Sequence, residues 1–444
     1  MASSFIQDAP ALALAPRLEA ALRRLDGLVD WERRARISAR GPRMRVTVDP
    51  ARDLLQRLGR PQRTFLPLHV AGTKGKGSVA LLAAAGLQRL GFGVGVYASP
   101  HVERVTERVR IGLAEVADDA LARSLEAVFG AREEALAAES PGREATWFDV
   151  LTAAAFHALA AVRTEVAVIE CGLGGRLDST NVLSAPVCVI TNVELEHTDI
   201  LGSTRAAIAR EKAGIIAEGA SVVTSLSPEH GDEAGRVVAE VAAARGARLV
   251  VCAASGGTIE ERNAALARAA LDELGRRCAD RLPAPRDLPP GGWGDVLDGP
   301  TRARGRLPGR GERRRAGSTP VILDGAHVKE SLSMLLDELE AAAGLGPRPI
   351  VVFGVGQEKD SRGLLKALVP RVDSLVCTTV GDGPYRSAEE LAADVRGLGG
   401  EARARPDPRG ALHEALRLAG SGGWVLVTGS LHLIGAVRRF TEDP

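Results

Sequence analysis

Short, mostly apolar runs alternating with helix-period segments predict an α/β protein built on mostly parallel sheets. Three observations carry that prediction. The runs at Leu68–Ala71, Gly93–Tyr97, Val166–Ile169, Val187–Ile190 and Ala220–Thr224 each end in glycine or polar residues, and helical patterns separate most of them. The stretch 281–318 is rich in Pro, Gly and Arg, and the alternation resumes beyond it. Between the first run and the helix after it lies a glycine-rich turn, Gly72-Thr73-Lys74-Gly75-Lys76-Gly77-Ser78. The expected organisation is therefore a domain over 1–295, a linker over 296–318 and a smaller α/β domain over 319–444.

The elements follow in order. Leu18, Leu22, Leu25 and Leu28 form a helical stripe. The basic segment Arg33–Arg45 follows, broken by Gly41-Pro42. Asp49-Pro50 opens a second helix through Leu58, with Asp49 as the expected N-cap. After the glycine-rich turn, Val79–Leu90 reads as a helix that crosses over to the strand at Gly93–Tyr97. Helices are expected at 118–138, at Thr146–Val162 with Thr146 as N-cap, at Thr204–Ile215 and at Glu260–Leu274. Arg248–Val251 is a further strand candidate. In the second domain, strands are expected at 320–323, 349–353, 374–379 and 424–428, with helices at 329–342, 361–369, 387–396 and 409–418.

Composition bounds the function. Across 444 residues, 45% are hydrophobic and 25% charged, enough apolar surface for a core. The formal net charge of +1 gives no global field to recruit nucleic acid or an anionic membrane. The five cysteines form no C-x-x-C pair and are expected as free thiols in a cytoplasmic protein. No secretory signal is read in Met1–Pro16, and no apolar stretch is long enough for a membrane span.

A strand, a glycine-rich turn and a helix N-terminus expose successive N–H groups and suit the phosphates of a nucleotide. The strict pattern G-x-x-x-x-G-K-[ST] is not met, because Val70 and Gly77 stand where a glycine and a hydroxyl are required. A Gly/Lys surface turn is the plain alternative. Ser78, Ser99, Glu170 and His197 each follow a predicted strand. Converging near a triphosphate, they would offer oxygen and imidazole donors to Mg²⁺ or Mn²⁺. Taken singly, each has an ordinary reading as a cap, an ion-pair partner or a structural histidine. Gly172-Leu173-Gly174-Gly175-Arg176-Leu177-Asp178 follows a buried strand, as a ligand-approaching turn would. Lys212 reads as a solvated lysine unless burial changes its chemistry.

The form G-T-x-G-K-G-S after an apolar strand resembles the ATP loop of the Mur ligases, and H-V-A-G-T-K-G-K-G-S-V resembles their folate branch, folylpolyglutamate synthase and dihydrofolate synthase. Further matching stretches are Tyr97–Arg110, Thr146–Phe156, Ile169–Asn181, Thr191–Gly214, Arg262–Leu274, Pro308–Arg310, Leu323–His327 and Thr428–Leu433. The resemblance implies an N-terminal P-loop ATPase domain with a mostly parallel sheet and a smaller C-terminal Rossmann-like domain. It implies an ATP-dependent ligase that phosphorylates a folate or dihydropteroate carboxylate and joins L-glutamate to it, working as a monomer. Residue by residue, it places Thr73, Lys74, Gly75, Lys76, Gly77, Ser78, Asn263, Arg310 and Asp324 on ATP. Ser78, Ser99, Glu170 and His197 fall on magnesium, with two metal sites. Thr146, Leu177, Asp178, Ser179, His327 and Ser430 fall among the other substrates. Lys212 matches a lysine that is carbamylated in the family, and Lys76, Glu170, His197 and Lys212 form the implied catalytic set.

The sequence departs from the family at Lys74 (commonly Asn), Glu196 (commonly Asp), Asp149 (commonly Glu), Val328 (commonly Asn) and over Val46–Ala51. The last leaves open whether dihydropteroate is an acceptor. Two other readings stand beside this one: a Mur-type ligase for a different carboxylic acid, and a nucleotide-binding protein that has lost catalysis.

Overall fold

The computed structural model describes residues 14–30, 47–229, 231–252, 257–341, 346, 348–381 and 383–443. The basic segment Arg33–Arg45 and Val46 lie outside the described residues. The described chain divides between Arg306 and Leu307 into two compact units.

The N-terminal unit is built on one sheet. Its strands are β1 (Leu66–Ala71), β2 (Val94–Tyr97), β3 (Val109–Ile111), β4 (Ala114–Glu115), β5 (Val166–Glu170), β6 (Val187–Ile190), β7 (Ser221–Thr224) and β8 (Arg248–Val251). Their order is β4-β3-β2-β5-β1-β6-β7-β8. From β2 to β8 every pairing is parallel, while β3 and β4 add an antiparallel edge. Strands β1, β2, β5, β6 and β7 are buried along their whole length, which explains their mostly apolar character. Helices Pro16–Asp26, Asp118–Ala137 and Trp147–Ala161 share one core with the sheet, and helices Arg205–Ala213 and Glu233–Ala244 share another.

Strand β1 is central, flanked by β5 and β6, and leads directly into the helix Lys76–Arg89. Val79 to Leu87 of that helix are buried without interruption, and the helix packs against Ile259–Cys278. A helix enclosed in this way holds its N-terminus in a fixed position at the carboxyl end of the sheet.

Local capping follows the sequence where side chains allow it. Thr146 caps Trp147–Ala161 and forms a capping box with Asp149. Asp49, the expected N-cap, instead lies inside the helix Asp49–Arg57. Val48 precedes it, and the Thr47 hydroxyl accepts the Asp49 N–H at 3.3 Å.

The C-terminal unit has the sheet order β13-β12-β11-β14-β10-β9. These are β9 (Glu312–Ala316), β10 (Thr319–Asp324), β11 (Ile350–Phe353), β12 (Ser374–Cys377), β13 (Ala402–Ala404) and β14 (Val425–Thr428). All pairings are parallel except β9 with β10. Its helices include Lys329–Ala341, Ser361–Leu368, Ala388–Gly397, Pro408–Ala419 and Leu431–Arg438. The stretch 296–318 carries the helix Gly299–Arg304 and β9. Exposure alternates along β9, so Arg313 and Arg315 face solvent while Arg314 turns inward and pairs with Glu312 and Asp443.

Among the described residues no helix is long and apolar enough to cross a membrane. All five cysteines are free thiols, and four of them are buried.

Candidate active site

The carboxyl ends of four adjacent strands, β2, β5, β1 and β6, bring most of the expected N-terminal site residues to one edge of the sheet. The turn after β1 is held from β6. Thr73 N donates to Asn192 O at 3.0 Å, and Lys74 N donates to Asn192 Oδ1 at 2.8 Å. The Thr191 hydroxyl donates to Lys74 O at 2.6 Å, and Glu194 N donates to Thr73 Oγ1 at 3.0 Å. Thr191 and Asn192 are thus supports of the loop that the sequence reading does not single out. Their position just after a buried strand is the signal that could have found them.

Two glycines make the turn possible. Gly75 has φ +79° and precedes the helix, where left-handed backbone suits glycine. A Cβ there would lie 2.5 Å from Asn263 Oδ1, so Asn263, expected on ATP, stands directly against the loop. Gly72 has φ +150°, and a Cβ there would fall inside the Thr191 hydroxyl. Gly72→Ala is therefore expected to destabilise the protein by about 2 kcal/mol or more, read as a lower urea midpoint at unchanged slope.

The first helical bond is Val79 N to Gly75 O, so the N–H groups of Lys76, Gly77 and Ser78 precede the hydrogen-bond ladder and form the anion-facing end of the helix. The Lys76 ammonium donates to Thr73 O at 3.4 Å and lies 4.0 Å from Glu170 Oε1. The other Glu170 oxygen accepts from Ser99 N at 2.9 Å. The structure thus joins Lys76, Glu170 and Ser99 across β1, β5 and β2.

Lys74 and Glu196, both departures from the family pattern, form an ion pair at 3.2 Å. The second loop lysine therefore brings its own counterion. Burial would raise the Glu196 carboxyl, but the charges of Lys74, His197 and Lys76 outweigh it and hold it at about 2. His197 sits in left-handed backbone at φ 51°, immediately before the short helix Thr198–Leu201, with Nε2 4.0 Å from Glu196 Oε1.

Lys212 is not the solvated lysine of the plain sequence reading. It is 4% exposed, and its ammonium nitrogen donates to Gly72 O at 2.8 Å. Burial first, and then the charge of Lys76, lower its pKa from 10.5 to about 7.

The second glycine-rich turn is closed on itself. Asp178 Oδ2 accepts from Leu173 N at 2.8 Å, and Oδ1 accepts from Thr180 N and from Thr180 Oγ1. Burial raises the Asp178 carboxyl, while these bonds favour its charged form. Ser179 Oγ donates to Asp149 Oδ1 at 2.5 Å, and Asp149 Oδ2 accepts from the backbone N–H and hydroxyl of Thr146. Thr146, Asp178 and Ser179 thus belong to two adjoining clusters, with Leu177 half-buried between them in sequence. Arg176, in the same turn, is paired with Glu211 at 2.8 Å.

In the C-terminal unit, Asp324 ends β10 and accepts from Gly311 N at 2.7 Å and Ala326 N at 2.8 Å. Burial raises its carboxyl, against the charge of Arg310. His327 Nδ1 lies 2.9 Å from Gly325 O. The carbonyl can only accept, so Nδ1 carries the proton. Ser430 caps Leu431–Arg438 by accepting from His432 N at 3.2 Å.

Among the described residues no three His, Cys, Asp or Glu side chains gather to hold a metal. The donors that are present are one buried carboxylate bonded to the Ser99 backbone, the hydroxyls of Ser78 and Ser99, and one imidazole. This small oxygen-rich set fits a hard cation held mainly by phosphates and water.

Residues 309–431 match the family model for the Mur ligase glutamate ligase domain. A dihydrofolate synthase/folylpolyglutamate synthase of Mycobacterium tuberculosis is 33% identical over 88% of this chain and 89% of its own. One from Escherichia coli is 31% identical over 84% of this chain and 86% of its own. The solved structure of Escherichia coli FolC in complex with DHPP and ADP superposes with a TM-score of 0.77 at 28% identity, covering 97% of this chain and 98% of its own. A bifunctional folylpolyglutamate synthase/dihydrofolate synthase solved with Mn, AMPPNP and L-glutamate has a TM-score of 0.74 at 27% identity, covering 97% and 98%. By sequence along most of its length and by fold, this chain belongs to the dihydrofolate synthase/folylpolyglutamate synthase family of Mur ligases.

Proposed function

We propose that this protein is an ATP-dependent ligase that joins L-glutamate by an amide bond to a pteroyl acid, a folate and also 7,8-dihydropteroate. The observation that carries the reading is the convergence of Lys76, Glu170 and Ser99 on the carboxyl ends of β1, β5 and β2, beside a helix N-terminus.

The chemistry follows from the charges. The acceptor carboxylate attacks the γ-phosphorus of ATP, giving an acyl phosphate and ADP. The glutamate amine then adds to the acyl carbon, and the tetrahedral intermediate expels phosphate and loses a proton to leave the amide. Each step builds negative charge on phosphoryl or acyl oxygens. Thr73 to Ser78 cradle the phosphates, and the Lys76 ammonium offsets the charge that develops on them. Asn263, against the loop, contacts the nucleotide. Glu170, Ser99, Ser78 and His197 would hold Mg²⁺ in up to two sites, or Mn²⁺. When bound, the cation neutralises phosphate charge and favours attack on phosphorus.

Lys212 with a pKa near 7 is largely neutral in mildly basic solution. A neutral amine can take up carbon dioxide with loss of one proton, turning a buried cation into a carbamate anion. Thr146, Leu177, Asp178 and Ser179 are assigned to the pteroyl acceptor. Arg310 and Asp324 are assigned to ATP, and His327 and Ser430 to glutamate. Free buried cysteines agree with a cytoplasmic location, and the protein is assigned as a monomer.

The test is phosphate release by the purified protein with Mg-ATP and L-glutamate, comparing 7,8-dihydropteroate with tetrahydrofolate. Turnover with both is the expected result. Turnover with tetrahydrofolate alone would restrict the activity to polyglutamate synthesis. Silence with both, on folded protein that binds ATP, would overturn the acceptor assignment in favour of another carboxylic acid.

A further inference from the structure

Strand β1 carries a fully buried histidine that the reaction above does not use. His69 lies two residues before the end of the strand that leads into the phosphate loop. Its Nε2 is 2.9 Å from Thr180 Oγ1 and 3.1 Å from Cys171 Sγ. Thr180 Oγ1 is in turn 2.5 Å from Asp178 Oδ1.

Counting protons sets the direction of this chain. The Asp178 carboxylate accepts three bonds, from Leu173 N, Thr180 N and the Thr180 hydroxyl. Thr180 has a single hydroxyl proton and spends it on Asp178. Its oxygen is then an acceptor, so His69 must present Nε2–H to it. The Thr180 hydroxyl has one other partner in reach, Cys171 Sγ at 3.5 Å. With Nε2–H on its oxygen, the Thr180 hydroxyl cannot donate back to the imidazole, and the nearer Asp178 Oδ1 at 2.5 Å is selected over Cys171 Sγ. In the selected orientation the proton completes the shell around Asp178, whose second oxygen holds Leu173 N and so the glycine turn 172–175.

We propose that His69 is a positioning residue for the acceptor side of the site: through Thr180 it fixes Asp178 and the glycine turn, and so sets the affinity for the pteroyl acceptor. The chain starts on the strand that carries the phosphate loop, so one buried link spans both ligand-facing turns of the N-terminal unit. A histidine kept only for packing would be replaced at little functional cost by an apolar side chain, because the neighbouring strand positions are all apolar and buried. This inference rests on the assignment of Asp178 and its neighbours to the acceptor.

The test uses the full chain with His69→Leu, His69→Gln, Thr180→Val and the double variant His69→Leu/Thr180→Val. His69→Leu is expected to raise the acceptor KM about tenfold with the ATP KM unchanged, as when an outer hydrogen bond to a ligand-holding group is lost. His69→Gln places an amide N–H near the Nε2 position and should restore most of the affinity. Thr180→Val should match His69→Leu, and the double variant should be no worse than either, because both break one chain. Amide exchange over 172–178 should quicken in His69→Leu and return towards wild type in His69→Gln. If the two KM values move together, if the single effects add, or if exchange over the turn is unchanged, the proposal fails. Should His69→Leu not fold, Thr180→Val and His69→Gln give the same comparison. Should the wild type turn over no pteroyl acceptor, the acceptor assignment fails first, and the exchange measurement still decides whether His69 holds the turn.

Discussion

Lys76→Ala is expected to lower turnover at least about a thousandfold while the protein stays folded, because this cation faces the charge that develops in phosphoryl transfer. The geometry explains why no neighbour replaces it. Lys76 opens the helix Lys76–Arg89, its ammonium is tied to Thr73 O, and Glu170 lies 4.0 Å away. Lys74 is paired with Glu196, and Lys212 is turned to Gly72 O. Neither stands where Lys76 does. The substitution leaves Glu170, 3% exposed, without that cation, so a modest fall in melting temperature should accompany the loss of activity. Rapid-quench measurement of acyl phosphate and ADP formation separates chemistry from binding. Turnover within tenfold of wild type would remove Lys76 from the phosphate site.

The second large effect belongs to Lys212. Lys212→Met should lower activity at least about a hundredfold, whether the native side chain acts as amine or as carbamate, since methionine supplies neither donor nor anion. Its stability signature is separate. The folded pKa, about 7, lies below the ordinary lysine value of 10.5. Below pH 7 both states hold the proton, and the cost of burying the ammonium is fully present. Between 7 and 10.5 only the unfolded chain holds it, so stability rises with pH. In buffer free of carbon dioxide, wild type should therefore gain on Lys212→Met by up to about 1.4 kcal/mol per pH unit across that window. Urea titrations at pH 6, 7.5 and 9 measure the difference. Parallel stability curves would show that Lys212 is not buried as an amine. Added bicarbonate should raise wild-type activity more at pH 8 than at pH 6, because only the neutral amine takes up carbon dioxide. No response would exclude the carbamate.

Much of this architecture is legible in the chain because its main strands are buried on both faces. Val166–Ile169 and Val187–Ile190 read as unbroken apolar runs, and a parallel strand of that kind announces itself without knowledge of its partners. The elements that the reading passes over are of another kind. β3, β4 and β13 have only two or three residues and lie at or next to sheet edges. β9 is so charged that it reads as an arginine-rich connection, yet it pairs with β10, and Arg314 finds its partners at Thr441 and Asp443. Such partners lie more than a hundred residues away, and no local pattern encodes them. The helix Glu233–Ala244 is different, since its stripe of Ala234, Val237, Val238 and Ala242 is present in the sequence and was open to the same reading as its neighbours.

The candidate site divides along the same line. Strand-end position brings Ser99, Glu170 and the turn after β1 to one edge of the sheet, because turns that follow buried parallel strands must collect there. Which groups meet there is decided by strand order. Placing β1 between β5 and β6 brings Glu170 to Lys76 from one side and Asn192 to the loop backbone from the other. Burial decides the rest. Lys212 is an ordinary helical lysine by sequence and becomes a near-neutral amine only where the fold withdraws water from it. Lys74 looks like extra charge for a phosphate until Glu196, 122 residues later, takes up that charge. His69 looks like part of an apolar strand until Thr180 and Asp178 give its one N–H a task. The local sequence is enough to specify the turns and their chemistry, since backbone freedom and residue type are local properties. Charge state and partnership depend on solvent exclusion and on distance through space, and those exist only once the chain has folded.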